Sequence, residues 1–531
     1  MYKYLKRNRL HFAGALIFVF FSTVFAVVLQ FFKGEVLDYA IVGETRTTVR
    51  YGILLITFIL GESLCYFGYR KLSARFVVGC TKQLKKDIFT SIIQREFVSY
   101  KKLPQGEYIA KYMNEADTIK ERRFRLLPMF WEILFTIIFV STALFVLDWK
   151  IAIITIGLLT TPLYIPKLIE KRLQKAQTEY LKAVEMNLAK VNDWLNGFEV
   201  IKNYSIERRI LSKFDQDNVL TMEKLLRDMT FGAVSQLITM LISYLSYFVV
   251  LVFAAWLVLK GDFSAGDFFV AIGMIDQLSY PLISLAEIIR QLIAIKPSCR
   301  AMEEFIAGEK TQTCGKVLTT LTDGINCRNV TFSYVEGKPV LRNFNFEAKK
   351  GRRYLIKGSS GCGKTTAVNL LLRYYDVDSG SIEIDNTPLS EYSSTYGCIT
   401  VVRQEAVLFH DTLRCNLTMY QDIADNRLFE MLESVGLNKF LNEQALDEEI
   451  SENGANLSGG EKKRICLARA LLRDTDVLIL DEPLANLDEE TAYKIEDLIL
   501  SIEGKLVLVV SHQFSEEKLK RFDAVMTMVN A

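Results

Sequence analysis

Histidine is nearly missing from this chain: His11, His410 and His512 are the three that occur in 531 residues. A histidine-rich metal centre is therefore excluded. The nine cysteines are scattered, and no two form a C-x-x-C pair. They build no framework and read as thiols of a reducing compartment. Net charge is also nearly missing, at +2, although 24% of residues are charged. With 50% hydrophobic positions, disorder is excluded. The N-terminus, MYKYLKRNRLHFAGALIF, starts basic and turns apolar as far as Phe32 without an A-x-A cleavage site. It reads as a retained membrane helix, not a signal peptide.

The small net charge hides an asymmetry. Residues 1–300 hold 38 Lys+Arg against 26 Asp+Glu; the remaining residues hold 26 against 36. An apolar, basic half joined to a polar, acidic half reads as a membrane domain fused to a soluble one. The long apolar runs argue against nucleic acid as the partner of the basic half. Length fits several domains, at about 150 residues each. The expected division is a transmembrane domain over 1–300, a linker over 301–322 and a soluble α/β domain over 323–531.

A spanning helix takes about 20 mostly apolar residues. Six segments qualify, near 11–32, 51–69, 126–147, 149–169, 232–259 and 264–290. The second and fourth are followed by long polar helical stretches, 70–125 and 170–231. The first of these carries 14 Lys+Arg, which places both stretches and both termini in the cytoplasm. Four acids lie within apolar segments. Glu62, Glu132 and Glu287 read as interface residues, snorkelling or paired. Asp276, deeper and beside Gln277, stands open between that role and a substrate or ion pathway.

Three motifs carry chemistry in the second half. Gly358-Ser359-Ser360-Gly361-Cys362-Gly363-Lys364-Thr365 fits G-x-x-x-x-G-K-[ST] and lies between a strand-like run and a helical one. Its glycines let backbone N–H groups curl round phosphate, Lys364 supplies charge, and Thr365 offers a hydroxyl to Mg²⁺. Thr366 follows as a further nucleotide-binding candidate. Val477-Leu478-Ile479-Leu480-Asp481-Glu482 reads as a buried strand ending in two acids. Asp481 suits Mg²⁺ and Glu482 suits activation of the attacking water. Leu457-Ser458-Gly459-Gly460-Glu461 opens a helix and forms a second anion-binding geometry. One P-loop needs one phosphate cradle, so the second is surplus unless it serves a nucleotide held by another copy. Cys362 is then expected to face Ser458–Gly460 of that copy.

Motifs and order together resemble an ABC transporter of the exporter type, a half-transporter carrying both domains in one chain. The resemblance implies ATP and Mg²⁺ as ligands and ATP hydrolysis as the activity. It implies Tyr334 stacking on adenine, Gln404 contacting Mg²⁺ and the attacking water, and His512 contacting the γ-phosphate. Leu457–Glu461 resembles the family signature, and Leu484–Asp488 the loop crossing the dimer interface. Asn114–Thr118 and Gly197–Tyr204 resemble segments that couple the domains. Export of a peptide, lipid or drug-like amphiphile across the cell membrane is implied, by a homodimer or a heterodimer with a similar chain, twelve spans in all. An importer of the same architecture, such as a siderophore transporter, and a regulatory or channel member are the alternatives. Nucleic acid is not expected as a partner.

Overall fold

The computed structural model describes residues 1–161, 165–308, 316–359 and 361–528. The chain divides into two units. One comprises Met1–Ile93 and Pro104–Gly308; the other comprises Gln94–Leu103 and Glu309–Ala531.

The first unit is helical. Among the described residues, five helices are long and apolar enough to cross a membrane: Arg9–Val42, Thr45–Ile93, Gln105–Leu147, Glu207–Lys260 and Ala265–Ala307. The expected span 149–169 differs from these. Its apolar helix runs from Trp149 to Leu159, a new helix begins at Ile165, and residues 162–164 lie outside the described residues. Local chemistry sets the ends. Gly43 and Gly261 close their helices in the left-handed conformation, at φ 84° and 82°. Asp148 caps the Trp149–Leu159 helix by accepting from the N–H of Lys150 and Ile151, so the link before it is a single residue.

Packing in this unit uses small residues. A Cβ placed on Gly34 would lie 2.9 Å from the Gly266 carbonyl oxygen. The first and last spans therefore touch backbone to backbone, as small residues permit in membranes. Asp38 fastens the same contact by accepting from Ser264 Oγ at 2.6 Å and from Gly266 N–H at 2.7 Å. Val140, Leu144, Ile151, Leu257, Met274 and Leu278 form the core between spans. Glu287, expected as a paired residue, accepts from Arg290 at 2.8 Å and from Gln291 at 2.6 Å.

The second unit is α/β. Five parallel strands run in the order Ala524–Met528, Arg353–Gly358, Leu506–Val510, Val477–Asp481, Ile399–Val402. Val477–Asp481 and Leu506–Val510 are buried along their whole length, as expected for strands covered on both faces. Alternation sorts their side chains into two cores. Ile479, Leu508 and Val510 point to one; Leu478, Leu480, Val507 and Val509 point to the other. A four-stranded antiparallel sheet, built on Gly324–Val335 and Lys338–Lys349, flanks this one. The stretch expected as linker, 301–322, is helical to Ala307 and strand-paired at Lys316–Val317. Leu318 and Leu321 are buried in the core.

One segment comes from between membrane helices. Phe97–Lys101 is a short helix within the second unit, and its Phe97 ring stacks on Tyr374 with centroids 3.8 Å apart. Asn114–Thr118, expected to couple the domains, lies within the helical run of the first unit. The other passage does form a short helix, Phe198–Asn203, with Phe198, Val200 and Tyr204 exposed.

Candidate active site

The glycine loop joins the strand Arg353–Gly358 to the helix Lys364–Leu371. Gly361 and Gly363 hold φ of 86° and 96°, a conformation open to glycine at little cost. A Cβ on Gly363 would also press within 2.7 Å of Leu341. The loop borders a cleft of about 660 Å³. Gly358, Ser359, Gly361, Gly363, Lys364, Thr365 and Thr366 line one side; Gln404, Asp481, Glu482 and His512 line the rest. Ser360 lies outside the described residues.

Strand register explains the acidic wall. Asp481 pairs with Val510 on the neighbouring parallel strand, so the residues that follow each strand meet. Glu482 N–H donates to Val510 O at 2.8 Å, and Glu482 Oε1 lies 2.9 Å from His512 Nδ1. Glu482 is buried and sits at φ 50°, a sparsely populated conformation for a non-glycine residue of the kind found at functional sites. Burial pushes the Asp481 carboxyl above its ordinary range, against the pull of Arg403, Lys364 and Lys463. Thr365, Gln404 and Asp481 offer oxygen donors with one carboxylate. That set suits Mg²⁺, which keeps waters and shares substrate phosphates. Among the described residues no cluster of three or more His, Cys, Asp or Glu could hold a metal by itself. Lys364 Nζ donates to Gly358 O at 2.7 Å and Ser359 O at 2.9 Å.

Three expected groups lie off this cleft. Tyr334 stands beside it, its hydroxyl donating to Thr366 Oγ1 at 3.2 Å. Its ring meets Phe332 and Tyr375 edge-on and is 48% exposed. Cys362 is 2% exposed and tucks under the loop, where a Cβ on Gly358 would meet its Sγ at 2.5 Å. The expectation that it faces outward is corrected: as a small apolar side chain it packs into the core. Ser458 and Gly459 are exposed at the start of the helix Gly459–Leu472 and, like Gly460, do not line the cleft. Ser458 and Glu461 form a reciprocal capping box there, with Ser458 N–H donating to Glu461 at 2.8 Å and Glu461 N–H to Ser458 Oγ at 3.2 Å. Burial opposes ionisation of Glu461, but Lys439 and the cap donors outweigh it and hold its carboxyl low.

Other residues of the site were not foreseen. Arg403 donates to Asn369 Oδ1 at 2.7 Å and lies over the Tyr374 ring; its place beside Gln404 was the available signal. Lys463, in a run of basic residues that reads as solvated, is 4% exposed. Burial lowers its ammonium pKa, and the charges of Glu482 and Asp481 oppose that. Its Nζ donates to Ala485 O at 3.4 Å, tying the signature helix to the loop that follows Glu482.

Two family descriptions match: "ABC transporter transmembrane region" over residues 12–282 and "ABC transporter" over residues 341–485. The chain belongs to the ABC transporter family. It is an ATP-hydrolysing export protein with a helical transmembrane domain followed by an α/β nucleotide-binding domain. It is 29% identical to a multidrug resistance-like ATP-binding protein of Buchnera aphidicola, over 87% of this chain and 81% of that one. A putative multidrug export ATP-binding/permease protein of Bacillus subtilis is 26% identical, over 95% and 89%. An ATP-dependent lipid A-core flippase of Syntrophus aciditrophicus is 25% identical, over 84% and 75%. The solved structure of a bacterial Atm1-family ABC exporter with ATP bound shares the fold. Its TM-score is 0.80 at 20% identity, covering 99% of this chain and 94% of that one.

Proposed function

We propose that two copies of this chain, or one copy and a similar half-transporter, hold ATP between them and export an amphiphile from the cytoplasm. The observation that carries this reading is the split between two anion sites. The cleft gathers Lys364, Thr365, Asp481 and Glu482, while Ser458–Gly460 present an open helix start elsewhere on the same chain. A helix N-terminus with free N–H groups attracts phosphate, and a second copy brings one to each cleft. Exposed Phe198 and Val200 on the short helix Phe198–Asn203, and exposed Tyr204 just after it, support a second copy as well.

In this reading Gly358–Thr366, with Ser360 among them, cradle the phosphates and Tyr334 stacks on adenine. Thr365, Gln404 and Asp481 hold Mg²⁺, which supplies charge neutralisation at the transferring phosphoryl group. Glu482 takes the proton of the attacking water. His512, hydrogen-bonded to Glu482, orients that carboxylate and reaches the γ-phosphate. ATP binding favours the closed pair and so shifts the population towards it; hydrolysis releases it. The basic stretches 70–125 and 170–231 support a cytoplasmic position for the nucleotide-binding domains and both termini, with the spans in the cell membrane. Relatives named for lipid, multidrug and lactococcin-G transport support an amphiphilic cargo. The test is ATP-dependent accumulation of candidate lipids, drugs and peptides in inside-out proteoliposomes. Uptake that needs ATP and Glu482 is expected. Release of preloaded cargo in place of uptake overturns the export direction.

A further inference from the structure

We propose that Lys439 is a positioning residue of the ATP site: it cancels the charge of Glu461, so that the helix start at Ser458–Gly460 can receive a phosphate held by the other copy. This rests on the reading that two copies share the nucleotide. Glu461 lies in the first turn of the helix Gly459–Leu472, three residues after its cap Ser458. Its two carboxylate oxygens are divided between two partners. Oε2 accepts from the Ser458 N–H at 2.8 Å, and Oε1 pairs with Lys439 Nζ at 2.5 Å. Lys439 comes from a separate short turn, Asn438–Phe440, and its ammonium also lies over the Phe440 ring, 4.6 Å from the centroid.

Two demands on this carboxylate conflict. For the helix it is favourable, because a negative charge complements the positive end of the dipole. For an incoming phosphate it is unfavourable. A helix start carries about half a positive charge, and an ionised carboxylate carries a whole negative one. Left uncompensated, Glu461 would turn an anion-attracting end into a repelling one. Lys439 restores the sign without disturbing the cap, since it takes the oxygen that the cap leaves over.

The cations that follow Glu461 in the chain are engaged elsewhere. Lys463 Nζ donates to Ala485 O at 3.4 Å. Arg464 donates to Gly436 O at 2.7 Å and to Gly460 O at 3.4 Å. Lys462 lies against Gly454, where an added Cβ would meet its Cε at 3.0 Å. Among the described residues, Lys439 is the cation that pairs with Glu461. Stability does not account for the pair. Lys439 is half exposed, and exposed ion pairs add little to stability. Its effect on a phosphate grows once a second copy covers the helix start and excludes water, because charges interact more strongly in a low dielectric.

Steady-state ATP hydrolysis by the full-length protein in nanodiscs tests this, with thermal unfolding reporting the folding of each variant. Lys439→Ala is expected to lower kcat/KM for ATP about tenfold, and Lys439→Arg, which keeps the charge, to stay within about threefold of wild type. In a Glu461→Gln background no charge is left to cancel. There the same Lys439→Ala change is expected to lower kcat/KM by less than about twofold. Equal kcat/KM for wild type and folded Lys439→Ala overturns the proposal. So does an equal loss in both backgrounds, because Lys439 would then act through packing and not through the charge of Glu461. A thiol cross-link between Ser359→Cys of one chain and Ser458→Cys of another, formed with ATP, reads the shared site separately. With that link present, either of those kinetic results sinks this proposal alone; no link in any nucleotide state sinks the reading beneath it, and this proposal with it.

Discussion

Replacing Glu482 with glutamine removes a proton acceptor and little else. The side chain keeps its volume and an oxygen able to hydrogen-bond His512, which now lies 2.9 Å from Oε1. The backbone strain at φ 50° is the same for either residue. Lys364, Thr365 and the glycine loop stay in place, so ATP and Mg²⁺ binding should survive. The loss should fall on the chemical step. A missing general base costs about 10²–10⁴-fold, or about 2.7–5.4 kcal/mol at about 1.36 kcal/mol per decade. The assay is steady-state phosphate release by the reconstituted protein, beside equilibrium binding of a fluorescent ATP analogue. The expected result is turnover lowered by at least about a hundredfold with affinity within about threefold of wild type. Turnover within a few-fold of wild type would refute Glu482 as the base. A parallel loss of binding would show that the carboxylate holds the site together and does no proton transfer.

Tyr334→Ala should raise the KM for ATP and leave kcat nearly unchanged, since base–aromatic stacking is worth about 1–3 kcal/mol; Tyr334→Phe, keeping the ring, should resemble wild type. Glu461→Gln keeps an acceptor for the Ser458 N–H and should retain ATPase activity, whereas Glu461→Ala opens the capping box and should lower the thermal midpoint. Asp385 gives a pH test. Burial opposes its ionisation, but the N–H groups of Asp323, Thr322 and Gly324 outweigh that and hold its carboxyl low. A lowered folded pKa means the stabilisation is complete above about pH 3.9 and lost as pH falls through the folded value. Asp385→Asn should therefore melt below wild type near neutrality, and the gap should close in acid; a gap independent of pH would contradict this.

The nucleotide half was the more legible one in the sequence. The glycine loop and the strand Val477–Asp481 are contiguous runs whose chemistry is local, and strand register then brings Glu482 to His512. Features made by distant contacts were not legible. Phe97 reads as one aromatic among polar neighbours until it stacks on Tyr374. Lys463 sits among basic residues that look solvated, yet helix packing buries it against Ala485. Cys362 belongs to an exposed motif, but the loop's curl turns its thiol inward. The hydrogen-bond partner of Glu132, Tyr69, lies 63 positions away, beyond any local pattern. The apolar segments themselves were legible, and the fourth proved shorter as a helix, Trp149–Leu159, than its hydropathy implied.

The shared ATP site is tested most directly by cross-linking two copies. Ser359 and Ser458 are both exposed in the single chain, so they replace buried Cys362 as probes. All nine native cysteines are removed, Ser359→Cys and Ser458→Cys are introduced, and Glu482→Gln holds ATP unhydrolysed. A short thiol cross-linker spares the close approach of about 7 Å that a disulfide demands between Cα atoms. With ATP and Mg²⁺ the expected product is a band of twice the chain mass that requires both introduced thiols. A product confined to single chains, or no product in any nucleotide state, would contradict an ATP site shared between copies.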